Sequence, residues 1–176
     1  MRLSWVVLLL LLTGMAVPSV CGADAVETSG DVLQFALPAA AAGAALYHRD
    51  RDGALQLAAS GVTSTAVMLT LKYSLDTTRP NGGKHSFPSG HTSISFTAAE
   101  FLRKRYGWEY GMPAYALASF VAYSRVDARQ HYERDVIAGA AIGIASSYLF
   151  TRPYLGMTVQ PVADSGVWGV RLSKAW

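Results

Sequence analysis

Three polar clusters interrupt an otherwise apolar chain, and each carries residues able to handle phosphate. The first runs from Lys72 through Arg79 to Pro80, the second is Pro88-Ser89-Gly90-His91, and the third runs from Ser124 and Arg125 through His131 to Asp135. Lys72, Arg79 and Arg125 each lie at the end of an apolar stretch. If those ends converge, three cations form a pocket for phosphate or a similar oxyanion. Arginine can grip such an anion bidentately, and lysine acts as a point charge. Ser89-Gly90 precedes a helical pattern, so backbone N–H groups there can face an anion with the helix dipole behind them. His91 and His131 would then flank the anion, one to attack phosphorus and the other to protonate the leaving oxygen. Asp135 follows His131 by four positions, which puts both on one face of a helix. A carboxylate so placed holds an imidazole in one tautomer and stabilises positive charge on it. The other histidines, His48 and His85, have no carboxylate partners at metal-ligand spacing.

The elements that must position these groups read as helices. Apolar stretches cover Val32–Tyr47, Ala54–Tyr73, His91–Tyr106, Pro113–Tyr123 and Asp135–Phe150. Asp76 to Ser89 holds Pro80, Asn81-Gly82-Gly83 and Pro88, and reads as a loop. Ser124 to Arg134 reads as a polar connection. Near the C-terminus, valines and a leucine flank Asp164-Ser165-Gly166, a pattern that allows a terminal β-hairpin. A spanning helix needs about 20 mostly apolar residues. Val32–Tyr47, Ala54–Leu71 and Val136–Phe150 approach that length, while the Pro113 stretch and the one ending in Arg103-Lys104-Arg105 are short. The pattern lies between a soluble helical bundle and a compact membrane protein.

Met1 to Ala25 reads as a secretory signal peptide. Arg2 precedes an apolar run from Trp5 to Leu12, Pro18-Ser19 breaks it, and small residues follow at Gly22, Ala23 and Ala25. An uncleaved first membrane helix is the alternative. The chain divides into a leader over 1–23, one domain over 24–155 and a tail over 156–176. Its 176 residues suit a single domain. Charged residues make up 15% and hydrophobic ones 51%, against roughly 25% charged in ordinary soluble domains. That excludes disorder, and a single cysteine excludes a disulfide scaffold. A net charge of +3 does not make a nucleic-acid footprint, but it suits anionic small substrates or an anionic membrane surface.

The order Lys-x6-Arg-Pro, Pro-Ser-Gly-His, Ser-Arg-x5-His-x3-Asp resembles the type 2 phosphatidic acid phosphatase (PAP2) superfamily, which includes bacterial class A acid phosphatases and vanadium haloperoxidases. The resemblance covers Ala54 to Phe150. It implies an all-α bundle of about five helices after the leader, and a metal-independent phosphatase without a cofactor. It implies that His131 is the nucleophile and becomes phosphohistidine, that Asp135 orients it, and that His91 is the general acid and then activates water. Lys72, Arg79, Ser89, Gly90 and Arg125 would bind the phosphate and stabilise the transition state. The expected partner is a phosphorylated lipid or small phosphate ester, with membrane association and no nucleic acid. The expected place is the cell envelope, with the site facing the periplasm and Arg103-Lys104-Arg105 marking the inner side. Integral members usually have six full-length helices, and here two stretches are short. The alternatives are a soluble periplasmic acid phosphatase, a vanadate-dependent haloperoxidase and a non-catalytic anion-binding protein of the envelope.

Overall fold

The computed structural model describes residues 23–154, 157–164 and 167–174; the leader reading falls on residues outside these except at its last positions, Ala23 to Ala25, which open the first helix. Five helices follow one another: α1 (Ala23–Tyr47), α2 (Arg51–Ser74), α3 (Gly90–Tyr106), α4 (Trp108–Asp127) and α5 (Glu133–Phe150). Beyond them, β1 (Met157–Asp164) and β2 (Val167–Lys174) pair antiparallel, with Met157 opposite Lys174 and Asp164 opposite Val167. The chain is therefore an all-helical bundle with the terminal hairpin that its turn residues allowed.

Two helices, α1 and α4, run well beyond the sequence reading. α1 begins nine residues before Val32, because the polar turn Glu27–Asp31 is anchored by tertiary contacts described below. α4 is not short: it spans 20 residues. Pro113 reads as a helix start, yet it lies inside the helix, which begins directly after Gly107. At φ +96°, a region glycine enters without steric cost, Gly107 ends α3 and turns the chain into α4. The helix also continues through Ser124 and Arg125, so the polar connection shrinks to residues 128–132.

α3 is the central helix, packed by each of the other four. Its apolar core is small: Leu37, Ala41, Ala98, Ala99, Phe101, Leu102, Ala114 and Ala118. The tightest seam joins α5 to α3. A β-carbon on Gly139 would lie 2.5 Å from the Ser89 carbonyl oxygen, and one on Gly143 would collide with the Ser93 carbonyl. Spaced four apart, these glycines let two backbones touch, as small residues do in membrane bundles.

On α2 and α5 the distribution of polarity is inverted. Ser60, Ser64, Ser93, Thr97, Ser146 and Ser147 are buried, while Val62, Ile137 and Leu149 are 72%, 67% and 75% exposed. Ser64 and Ser93 hydrogen-bond across the α2–α3 seam at 2.7 Å, and Thr97 donates to the Ser93 carbonyl at 2.8 Å. A water-soluble amphipathic helix arranges its faces the other way round. Among the described residues, α2 is the helix both long and apolar enough to cross a membrane.

The bundle has two unlike poles. At one, Asp50 caps α2 by accepting from Gly53 N–H and also receives Arg105 through Nε at 2.6 Å and Nη2 at 2.5 Å. Arg105 Nη1 donates to the Arg152 carbonyl, and Tyr106 donates to the same carboxylate. His91 lies at the opposite end of α3, about 21 Å along the axis at 1.5 Å rise per residue.

Candidate active site

At the second pole the ends of α2, α3, α4 and α5 meet, and with them the three polar clusters of the sequence. α3 starts at Ser89, whose hydroxyl caps the first turn and receives Thr92 Oγ1 at 3.0 Å. The Ser89 N–H donates to the Asp135 carbonyl at 3.0 Å. The glycine seam below thus fixes the spacing between the start of α3 and the start of α5.

His131 lies in the 128–132 turn and is 3% exposed. Its own N–H donates to the Arg125 carbonyl at 3.1 Å, which ties the turn to the end of α4. Nδ1 lies 3.6 Å from Asp135 Oδ2 and has no hydrogen-bond partner. Asp135 is fully buried in the first turn of α5. Its Oδ2 accepts from Ser86 Oγ at 2.5 Å and from Tyr132 N–H at 3.0 Å. Burial, then the positive charges of Arg79 and Lys72, hold the His131 imidazole down to about pKa 4, against the pull of Asp135. At neutral pH it is therefore unprotonated and its ring nitrogen is free to act as a nucleophile.

Arg79 and Lys72 lie close enough to His131 to act on it by charge, and Arg125 lies by His91. Lys72 ends α2 and donates through Nζ to the His85 carbonyl at 2.9 Å. Arg79 sits in a loop folded on itself: its N–H donates to the Gly83 carbonyl, and Gly82 N–H returns to the Arg79 carbonyl. Gly82 has φ +86°, which closes that turn. The Arg79 side chain donates to Lys84 O and to Gln130 Oε1. Arg125 is 2% exposed and points at α1, donating to Asp31 Oδ1 at 2.6 Å and to the Glu27 carbonyl at 2.6 Å. His91 Nε2 lies 3.0 Å from the same Asp31 oxygen. Gly90 meets Met68 of α2. All eight residues singled out from the sequence thus fall at one pole. An open cleft of about 680 Å³, with Pro80 and Val126 on its walls, exposes this pole beside His131.

Four residues here were not singled out from the sequence. Ser86 holds Asp135, Gln130 links Arg79 to Glu27, and Asp31 joins Arg125 to His91. No motif spacing marks Ser86 or Gln130, and Glu27 and Asp31 lie one turn apart between the leader and the first apolar stretch, where the sequence reading places no element. Among the described residues no group of three or more His, Cys, Asp or Glu side chains gathers at metal-binding distance.

The bundle gathers Lys72 and Arg79 near His131 and Arg125 near His91 at one pole, a set of groups suited to holding an oxyanion. Residues 74–155 match the family model described as the PAP2 superfamily. The lipid A 4'-phosphatase of Helicobacter pylori is 36% identical over 145 residues, covering 76% of this chain and 73% of that protein. The lipid A 1-phosphatase of Porphyromonas gingivalis is 41% identical over a shorter stretch, 42% of this chain and 17% of that protein. The crystal structure of Aquifex aeolicus LpxE superposes with a TM-score of 0.55 at 23% identity, over 68% of this chain and 83% of that one, which supports the common fold. The chain belongs to the PAP2 superfamily and is a phosphatase of that family.

Proposed function

We propose that this phosphatase acts on lipid phosphates at the cell envelope, without metal, through a phosphohistidine on His131. The observation that carries the reading is the pairing of a neutral, buried His131 with Asp135, within reach of the charges of Arg79 and Lys72. The inverted exterior supports a lipid setting: Val62, Ile137 and Leu149 stand outward where acyl chains would cover them. The relatives named above act, by their names, on lipid A phosphates, and a further relative is named as a probable diacylglycerol pyrophosphate phosphatase of Schizosaccharomyces pombe.

In this mechanism Lys72, Arg79 and Arg125 hold the phosphate oxygens, together with the N–H groups at Ser89-Gly90. His131 attacks phosphorus, the bond to the leaving oxygen breaks, and His91 gives that oxygen its proton. His91, now neutral, takes a proton from water, which attacks the phosphohistidine and releases inorganic phosphate. Asp135 balances the positive charge that His131 acquires on phosphorylation. The site faces the periplasm in this reading, and the pole of Arg105 faces the cytoplasm.

The test is phosphate release by purified protein in detergent, from lipid A, phosphatidic acid and glycerol phosphate, with and without chelator. Acid quenching should trap an acid-labile phosphate on His131. Activity that needs added divalent metal, or a His131→Ala variant that keeps substantial turnover, would sink the mechanism. Equal activity on glycerol phosphate and lipid would sink the lipid assignment.

A further inference from the structure

We propose that Asp31 is a positioning residue of this site, pairing with His91 as Asp135 pairs with His131, and raising the share of His91 that carries the proton the leaving group takes. The proposal rests on the reading of His91 as general acid.

Asp31 Oδ1 accepts from two groups at once: His91 Nε2 at 3.0 Å and Arg125 Nη1 at 2.6 Å. It reaches them from α1, which carries none of the three sequence motifs. The surrounding turn is shaped for the contact. One turn earlier the Glu27 carbonyl accepts from Arg125 Nη2 at 2.6 Å. Between the two lies Gly30, where a β-carbon would run into the Ser124 hydroxyl and come within 2.8 Å of Arg125 Nη2. The missing side chain is a notch that lets α1 close over the end of α4, and Asp31 is thereby delivered to His91.

The charges around His91 give this contact its purpose. The groups facing it are Arg125 from α4, Arg79 from the loop and Asp31 from α1. Burial opposes a proton on the imidazole most, and Arg125 and Arg79 oppose it by like charge, so the ring holds a proton less readily than a free imidazole. Among the described residues Asp31 is the carboxylate that works the other way. In the protonated ring, Nε2–H is held by Asp31 and the other nitrogen bears the transferable proton. As the phosphorus–oxygen bond breaks and the bond to His131 forms, that proton passes to the leaving oxygen. His91 is left neutral and still tethered at Nε2. The Asp31 side chain is 47% exposed, so solvent moderates its influence, and the expected effect is smaller than loss of the acid itself.

Asp31→Asn removes the charge while keeping the size and an acceptor oxygen. The measurement is kcat/KM, which ends at phosphorus–oxygen cleavage, on a short-chain phosphatidic acid and on p-nitrophenyl phosphate with the same protein preparation. An alkoxide needs a proton to leave, whereas nitrophenolate leaves without one. The ratio of the two values is independent of how much protein is folded. We expect a loss of about 10- to 100-fold on the alkyl phosphate, at least fivefold larger than on the nitrophenyl ester. The alkyl pH profile should shift to lower pH, and Asp31→Glu should recover part of the ratio. Equal losses on both substrates with an unmoved pH profile would overturn the proposal and leave Asp31 as a brace for Arg125. His91→Ala is run beside it. If that variant also fails to separate the two leaving groups, the general-acid reading falls and takes this proposal with it.

Discussion

Asp135→Asn tests the nucleophile pair most directly. The substitution leaves an acceptor oxygen for Ser86 and the Tyr132 N–H, so the start of α5 should hold and Tm should move little. What disappears is the negative charge 3.6 Å from His131 Nδ1. In the resting state His131 is neutral and that charge does little. Once His131 bonds to phosphorus its ring becomes positive, and the pair then attracts by about 4.6 kcal/mol at an effective dielectric of ~20. Ser86 and Tyr132 already draw on the same oxygen, and charge-assisted hydrogen bonds contribute roughly 1.5–3 kcal/mol net. A loss of about 2–4 kcal/mol in the phosphorylation barrier is expected, or ~30- to 1000-fold at 1.36 kcal/mol per decade. The assay is single-turnover phosphoenzyme formation by acid quench, with circular dichroism to check the fold. A formation rate within threefold of the parent, on a folded variant, would refute the charge-balancing role of Asp135.

Further outcomes follow from other parts of the molecule. His131 has an ordinary value of 6.5 when unfolded and about 4 when folded, so the folded state binds fewer protons between those values. Stability is full above about pH 6.5 and falls as pH drops toward 4, by up to about 3 kcal/mol. Thermal melts in detergent should show this slope, and His131→Gln should flatten it. Gly139→Val drives a side chain into the Ser89 backbone and should lower Tm and activity together, by about 1–3 kcal/mol or more in stability. Gly61→Ala points into open space, and a gain of about 0.5–1 kcal/mol from the stiffer helix should appear as a raised Tm. Asp50→Asn leaves Arg105 buried without its anion, a cost of about 3–5 kcal/mol. Melting should fall sharply while the KM of the folded fraction stays put.

The helices and the three motif clusters were legible because each depends on neighbours in sequence. Apolar runs of helical length mark the helices, and Pro-Ser-Gly-His and His-x3-Asp each complete a local device. The extent of α4 was not legible. Pro113 imitates a helix start, and Ser124-Arg125 reads as a polar loop until α1 is present to receive the arginine. Asp31, Gln130 and Ser86 escaped for a related reason. Each acts across more than 45 positions, on Arg125, Arg79 and Asp135, and nothing in its own neighbourhood announces the partner. The inverted packing was hidden too, since serines mixed among valines look alike whichever face turns inward.

The Asp50–Arg105 pair leaves the two ends of the bundle mechanically unequal. It fastens the α1–α2 turn, the end of α3 and the segment after α5 into one knot. At the site pole Asp31 bridges Arg125 and His91 and so joins α1, α4 and α3. Along the side, an apolar slot lined by Pro38, Leu57, Gly61, Thr65 and Ile94 separates α1 and α2. The Asp50–Arg105 pair is closed off from solvent, whereas the Asp31 carboxylate is about half exposed, so added salt screens the His91 end of the bundle and leaves the tied end intact.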